Sequence, residues 1–175
     1  MIKVILFDLD GTLLPMDQDK FVKAYFSSLA IKASKLGYDR DKLIKMVWQG
    51  TNLMISNDGK YTNEEVFWNL FKETFGSESL KDKTIFDDFY KNEFQDISLL
   101  CGKNPLAKKV IEKVKERGYR VVLATNPIFP KIATESRIRW AGIDPKDFEF
   151  YTTYENYSHC KPNLEYYRDI LDKIN

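Results

Sequence analysis

The sequence has 175 residues, of which 43% are hydrophobic and 30% charged, a composition that predicts a folded protein with a sizeable core rather than a disordered chain. Its 27 Lys and Arg residues nearly balance its 26 Asp and Glu residues, so no overall charge attracts a nucleic acid or an anionic membrane. Two cysteines are too few to hold the fold by disulfides, and no apolar run resembles a signal peptide or a membrane span, so we expect a cytoplasmic protein.

The first predicted element is a strand. Ile2 and the run Val4–Phe7 are apolar without polar alternation, which is typical of a central parallel strand covered on both faces. An Asp-Leu-Asp-Gly segment ends it. Because alternate residues of an extended chain point to the same side, we expect Asp8 and Asp10 to face one site at the carboxyl end of the strand, where open α/β sheets bind ligands. Gly11 allows a sharp turn with the backbone close to a ligand.

Two carboxylates this close repel each other unless a cation or a shared proton lies between them. The pair of Asp8 and Asp10 therefore predicts a metal site or an acid–base site. The alternative is structural, because Asp-Gly is a frequent turn former and Asp8 then only caps a nearby backbone group.

Residues 16–100 are predicted to form an inserted all-α cap domain, since apolar residues recur there at helical spacing and the segment is too long for a loop. Thr62 and Glu65 fit a capping box at the start of one of its helices. We expect the turn Ser56–Lys60 to be an ordinary exposed turn, with contact to the cleft as the alternative. Several aromatic residues are expected to form the core of the cap, with the alternative that one or two stack on a substrate: Trp48, Phe67, Trp68, Phe71 and Phe75.

From Pro105 onwards helices and strands alternate. The pattern predicts a helix over 107–117, a strand over 119–124, a helix over 131–140, a strand over 148–151 and a last helix capped by Asn163. Alternating strands and helices indicate a parallel, doubly wound sheet. The predicted fold class is therefore α/β, with a Rossmann-like three-layer core formed by residues 1–15 and 101–175.

Three segments resemble the motifs of the haloacid dehalogenase superfamily. Asp8–Thr12 resembles the first motif, Val121–Asn126 the second and His159–Pro162 the third. Their order, separation and strand context agree with the family over essentially the whole chain. The joint match is far more specific than any one segment, and a second carboxylate such as Asp10 is typical of the phosphatases and absent from the dehalogenase branch.

The resemblance implies a role for each motif residue. Asp8 is the nucleophile that forms an aspartyl phosphate, and Asp10 protonates the leaving oxygen and later deprotonates water. Lys161 offsets the repulsion between nucleophile and phosphoryl group, and the Thr125 hydroxyl donates to a phosphate oxygen. The implied phosphate-binding set is completed by Gly11, Thr12 and Asn126.

Taken alone, these residues have plainer interpretations. Thr125 then only ends a strand, and Lys161 is a solvated surface lysine. His159 is the single histidine and is expected to be a partly exposed loop residue without a catalytic role. The charge of Lys161 favours the Cys160 thiolate, but nothing else indicates a reactive thiol.

The resemblance also implies a Mg²⁺ site, formed by the Asp8 carboxylate and the backbone carbonyl of Asp10. The fourth motif of the family, which supplies further acidic ligands, has no match before Asn175. Asp144 and Asp147 do not substitute, because they precede the strand over 148–151 and so lie at the wrong end of the sheet. We expect a truncated form of a longer protein, or else a neighbouring chain that supplies the missing strand beside the first one.

The predicted function is a Mg²⁺-dependent phosphomonoester hydrolase that acts on a small phosphorylated metabolite, with the cap closing over the substrate. No nucleic-acid or membrane partner is expected. A sugar phosphomutase of the same superfamily is one alternative, and a catalytically inactive phosphate-binding or regulatory fragment is the other. Substrate identity and oligomeric state are left open.

Overall fold

The computed structural model describes residues 2–174, so Met1 and Asn175, the ends of the predicted core, lie outside the described residues. Strand β1 (Val4–Phe7) pairs in parallel with β2 (Arg120–Leu123). The predicted strand over 148–151 lies extended along the other edge of β2, where it forms one parallel bridge between Tyr151 and Leu123. The three segments therefore run in parallel, and their carboxyl ends meet at one edge.

The helical insert, which we define as residues 16–100, is described in full and contains α1 (Gln18–Ser34), α2 (Arg40–Ile55), α3 (Asn63–Phe75) and α4 (Lys83–Lys91). Two 3₁₀ segments accompany them, Ser77–Asp82 and Glu93–Leu100. The predicted capping box is confirmed: the Thr62 side chain accepts from the Glu65 N–H, and the Glu65 carboxylate accepts from the Thr62 N–H. The apolar faces of these helices form one buried cluster that extends to Ala133 on the sheet side.

The sheet is covered by α5 (Ala107–Glu116), α6 (Lys131–Trp140) and α7 (Leu164–Ile174), close to the predicted bounds. Gly118 and Gly142 lie two residues beyond the ends of α5 and α6, and both adopt positive φ angles that a residue with a Cβ rarely adopts. Among the described residues, no helix is long and apolar enough to cross a bilayer.

Strands β1 and β2 differ in burial. Val121, Val122 and Leu123 of β2 are buried, whereas Leu6 of β1 is exposed and its neighbours are half-buried. The prediction of a central strand covered on both faces is wrong for residues 2–174, because there β1 has a strand partner on the β2 side only and its side chains are half-buried or exposed. The continuous apolar run therefore predicts the strand correctly but not the burial of its side chains.

Candidate active site

Three loops meet at the carboxyl edge of the sheet. One follows β1, one follows β2, and one precedes α7. The Phe7 carbonyl accepts from the Ala124 N–H at 2.7 Å, so Asp8 and Thr125 leave the sheet at the same edge. The topology of a parallel sheet thus brings together residues that lie more than a hundred positions apart in sequence.

The loop after β1 is closed by its own backbone. The Thr12 and Leu14 N–H groups both donate to the Leu9 carbonyl, at 3.2 and 2.9 Å, and Gly11 adopts a φ of 77° at the turn. The Leu9 side chain is completely buried between the two acidic residues. The loop therefore holds Asp8 and Asp10 in fixed positions relative to the core.

Both oxygens of the Asp8 carboxylate have partners from predicted site residues. Lys161 Nζ lies 2.5 Å from Asp8 Oδ1, and the Thr12 hydroxyl donates to Asp8 Oδ2 at 3.1 Å. An ammonium group and a carboxylate at this distance form a charge-assisted hydrogen bond. The structure therefore brings together the predicted nucleophile and the predicted charge-neutralising lysine.

The second and third motifs are joined directly. The Asn126 side-chain oxygen accepts from the Lys161 N–H at 2.9 Å, which ties the loop before α7 to the loop after β2. Thr125 is buried, and its carbonyl accepts from the Thr152 hydroxyl at 2.5 Å and the Tyr166 hydroxyl at 2.8 Å. These bonds fix the backbone at Thr125 and Asn126, whose predicted contacts to phosphate remain predictions.

Arg137 on α6 is a site residue that the sequence analysis missed. Its Nη1 donates to Asp10 Oδ2, while its Nε and Nη2 donate at 3.4 Å to the Ala133 carbonyl and the Thr134 hydroxyl. The guanidinium carbon lies 4.4 Å from the centre of the Phe129 ring, at the distance of a cation–π contact. A charged residue between the small and apolar residues of a core helix was the signal that could have revealed it.

Asp8 and Asp10 fit the metal prediction in part. The ligand predicted at Asp10 is its backbone carbonyl; the side-chain oxygen Oδ1 is buried without a hydrogen-bond partner within the described part of the chain, so a cation placed here would displace no protein donor from it. Residues 2–174 contain no cluster of three or more His, Cys, Asp or Glu side chains suited to a metal. Mg²⁺ often takes only one or two carboxylates and fills its other positions with water and substrate phosphate, so Asp8 and Asp10 fit part of its ligand set without the acidic ligands expected from the fourth motif.

His159 and Cys160 point to structural roles. His159 Nδ1 lies 2.9 Å from Asp169 Oδ2 on α7, and the expectation that His159 has no catalytic role stays a prediction. Cys160 is buried, and burial raises the pKa of its thiol to about 11. The expectation that Lys161 favours the thiolate is therefore wrong, because loss of solvation outweighs the neighbouring charge.

The turn Ser56–Lys60 is not an ordinary exposed turn. Asn57 is buried and donates to the Asn63 side-chain oxygen at 2.8 Å, and the Asn63 side chain in turn donates to the Pro127 carbonyl at 3.0 Å. A Cβ atom built at Gly59 lies 2.5 Å from His159 Nε2, so the turn packs closely against the loop that carries Lys161. These contacts attach the helical insert to the loops after β2 and before α7.

A cavity of about 200 Å³ lies between the helical insert and the core, and Asp10 and Arg137 form part of its wall. Of the five aromatic residues expected in the cap core, Trp48, Phe67, Trp68 and Phe71 also line this cavity. Phe67, Trp68 and Phe71 belong to the buried cluster of the insert or pack against it, as predicted, whereas stacking on a substrate stays a prediction. We call this space the aromatic cavity.

Comparison with known proteins finds the same family that the sequence motifs resemble. Residues 2–175 match the family model of the haloacid dehalogenase-like hydrolases. The chain is 30% identical over 128 residues to a phosphoglycolate phosphatase of Vibrio parahaemolyticus serotype O3:K6 (strain RIMD 2210633). That alignment covers 71% of this chain and 50% of the relative, so the chain spans about half the length of this curated protein.

Two solved structures share the fold. The HAD family enzyme BT-2542 of Bacteroides thetaiotaomicron, in complex with magnesium and inorganic phosphate, has a TM-score of 0.52 at 20% identity, covering 99% of this chain and 79% of that one. The HAD-hydrolase YfnB of Bacillus subtilis, bound to magnesium, has a TM-score of 0.55 at 19% identity, covering 98% and 74%. These likenesses confirm the predicted α/β fold class with its parallel sheet.

Proposed function

The chain belongs to the haloacid dehalogenase-like hydrolase family, and from that premise we propose that it hydrolyses phosphomonoesters through an aspartyl phosphate on Asp8. The observation that carries the proposal is the contact between Asp8 and Lys161 at the carboxyl edge of the sheet, with a second carboxylate, Asp10, two residues on. A nucleophile, a cation beside it and a proton carrier are the three groups that a covalent phosphoryl transfer requires.

In the first step an Asp8 carboxylate oxygen attacks phosphorus, and the bond between phosphorus and the alcohol oxygen breaks. Asp10 gives its proton to that oxygen, so the alcohol leaves uncharged. In the second step Asp10, now ionised, takes a proton from water as the water oxygen attacks phosphorus. The bond to Asp8 breaks, inorganic phosphate leaves, and both carboxylates return to their starting states.

Lys161 offsets the charge of the incoming phosphate, so the anionic nucleophile approaches an anionic substrate at lower cost. Thr12 and Lys161 together fix the rotation of the Asp8 carboxylate by bonding its two oxygens. The Thr125 hydroxyl, with Gly11 and Asn126, completes the proposed set of phosphate contacts. The bonds that hold the backbone at Thr125 support this assignment.

We further propose that Asp8 and Asp10 hold Mg²⁺, supported by the partnerless Asp10 oxygen and by the magnesium bound in the two structural relatives. When bound, the metal neutralises charge on the phosphoryl oxygens. The helical insert acts as a cap that encloses a small phosphorylated substrate. Both cysteines are free thiols, which supports the predicted cytoplasmic location.

Trapping the intermediate tests the proposal. The protein is mixed with p-nitrophenyl phosphate and Mg²⁺, quenched in acid and digested, and we expect one phosphoryl group on the peptide that contains Asp8. Asp8→Asn gives neither the phosphopeptide nor turnover, because an amide does not replace the carboxylate as nucleophile. Hydrolysis by Asp8→Asn at the parent rate contradicts the covalent route.

The same preparation separates the alternatives. A hexose 1-phosphate yields free phosphate if the protein is a hydrolase, whereas a mutase yields the 6-phosphate with little free phosphate. Phosphate binding without turnover of any ester supports the regulatory alternative.

A further inference from the structure

We propose that the alcohol released from the substrate is an uncharged aromatic group, or one of similar apolar character, and that it binds in the aromatic cavity. This inference rests on the proposed function, because it identifies the substrate class of the same site. It differs from what the curated relative is named for, since glycolate is short and carries a carboxylate.

The position of the cavity links it to the leaving group. Asp10 contributes to the cavity wall, and Asp10 is the group proposed to protonate the leaving oxygen. The alcohol must therefore begin within hydrogen-bond reach of Asp10. From that point the aromatic cavity extends into the helical insert, so it receives the part of the alcohol beyond its oxygen.

Aromatic rings from several helices surround this space. Phe26 of α1 and Trp48 of α2 stack with ring centres 5.2 Å apart, and Trp68 of α3 packs against Phe71 at 5.0 Å. Because these rings touch one another, they present flat apolar surfaces to the cavity, and a ligand ring packs edge-on or offset against such a surface. Phe129, which stacks on Arg137, continues the aromatic wall down to the site of chemistry.

Most polar groups of the wall are bonded to one another. The Tyr25 and Tyr90 hydroxyls lie 2.9 Å apart, and the Trp68 indole N–H donates to the Tyr154 hydroxyl at 3.2 Å. The Thr51 hydroxyl donates to a carbonyl of its own helix at 2.9 Å. Burial raises the pKa of Tyr25 to about 12, so that ring stays uncharged near neutral pH. For the many hydroxyls of a sugar or another polyol, the described wall therefore offers only Gln18, Asp87, the Trp48 indole N–H and the second Asp10 oxygen as further partners.

The charges of the wall also disfavour an anionic alcohol. Asp10 and Asp87 contribute carboxylates, and Arg137 is the cation of the described wall. Each of the three guanidinium nitrogens of Arg137 already donates to a protein oxygen. Because Asp10 is protonated in the first step, a glycolate carboxylate would meet the like charge of Asp87 without a free cation in the described wall, which is unfavourable in a partly enclosed space.

The volume fits one substituted ring. An engineered apolar cavity of about 150 Å³ in another protein binds benzene, and the aromatic cavity measures about 200 Å³. Phenyl phosphate and 1-naphthyl phosphate are therefore suitable probes, and 2-phosphoglycolate is the anionic comparison.

The first test measures kcat/KM for these three esters with Mg²⁺. We expect the better aryl ester to exceed 2-phosphoglycolate by at least about tenfold, because burial of a ring adds transition-state binding that a short anion lacks. Equal or faster hydrolysis of 2-phosphoglycolate overturns the inference and leaves the proposed function intact.

Two variants and a matched control place the effect in the cavity. Thr51→Trp fills the space, and Trp48→Ala removes one ring from the wall. Each is expected to lower the ratio of kcat/KM for 1-naphthyl phosphate to that for acetyl phosphate, Thr51→Trp by at least about tenfold. Leu53→Ala is the control, because Leu53 lies on the same helix, is 45% exposed against 47% for Trp48, and is not part of the wall. An unchanged ratio in both variants overturns the inference.

Binding to Asp8→Asn supplies a readout that does not need turnover. Calorimetry is expected to show tighter binding of phenyl phosphate than of 2-phosphoglycolate, and weaker binding of phenyl phosphate when Thr51→Trp is added. This result in a protein that hydrolyses no ester refutes the proposed function but supports the aromatic site. Equal affinities refute the aromatic site.

Discussion

Asp8 and Asp10 are separated by one residue, yet their carboxylates have different surroundings. The Asp8 side chain is 37% exposed and contacts Lys161, itself 25% exposed, at the mouth of the site. The Asp10 side chain is 23% exposed and contacts Arg137, which is 1% exposed. Each carboxylate thus has its own cation, one near solvent and one within the core.

The two cations also differ in freedom. Lys161 carries a single charge on a flexible stem and can follow a phosphoryl group as it moves between water, Asp8 and product. Arg137 is held by three hydrogen bonds and an aromatic ring, so it keeps Asp10 in one position. The phosphate side of the site is therefore adjustable, whereas the leaving-group side is rigid.

The largest loss of kcat/KM is expected when the partly exposed pair of Asp8 and Lys161 is broken. Lys161→Met leaves the nucleophile facing an anionic substrate without its cation, and we expect kcat/KM to fall roughly 10²- to 10³-fold, as when other transition-state charge contacts are removed. Steady-state kinetics with an aryl phosphate and Mg²⁺ measures this. The melting temperature should change little, because the ion pair is partly exposed.

Lys60→Met is the matched control for that experiment. Lys60 Nζ lies 2.8 Å from Asp58 Oδ2 in an ion pair at the surface, so its loss should leave kcat/KM unaltered. Comparable rates for Lys161→Met and Lys60→Met would show that Lys161 is only another surface lysine.

Breaking the buried pair of Asp10 and Arg137 should mainly lower the stability of the protein. Arg137→Met leaves the Asp10 carboxylate without its cation, and we expect the free energy of unfolding to fall by roughly 2–3 kcal/mol, below the full value for a buried pair because Asp10 keeps some contact with water. Chemical denaturation measures this. Arg139→Met is the control on the same helix, since Arg139 forms an exposed pair with Glu135 and should cost no more than about 0.5 kcal/mol.

A double variant tests whether the loss comes from the charge of Asp10. Combining Arg137→Met with Asp10→Asn removes both charges, so part of the stability lost in Arg137→Met should return. Additive losses would instead indicate that Arg137 acts through packing against Phe129.

The two cations, Lys161 and Arg137, differ in whether the sequence alone could predict their contacts. Lys161 can be predicted because it lies in a short segment that resembles a family motif, His159–Pro162. The order of the strands then places that segment beside Asp8. Arg137 has no such segment: its contact with Asp10 depends on how α6 rotates against the sheet, which apolar spacing alone does not specify. The same limit explains the wrong prediction for β1, because its apolar run predicts that the strand is buried but not which neighbouring element covers it.

The smallest effect is expected at Thr12, which contacts the same carboxylate as Lys161 but carries no charge. Thr12→Val keeps the shape of the side chain and removes the hydroxyl that donates to Asp8 Oδ2 at 3.1 Å. We expect kcat/KM to fall by about five- to tenfold, since one hydrogen bond to a charged group is worth roughly 1.5 kcal/mol and water replaces part of it at this exposed position. Thr12→Ser keeps the hydroxyl and should retain the parent rate. If Thr12→Val matched Lys161→Met, orientation of the Asp8 carboxylate rather than neutralisation of its charge would govern the exposed half of the site.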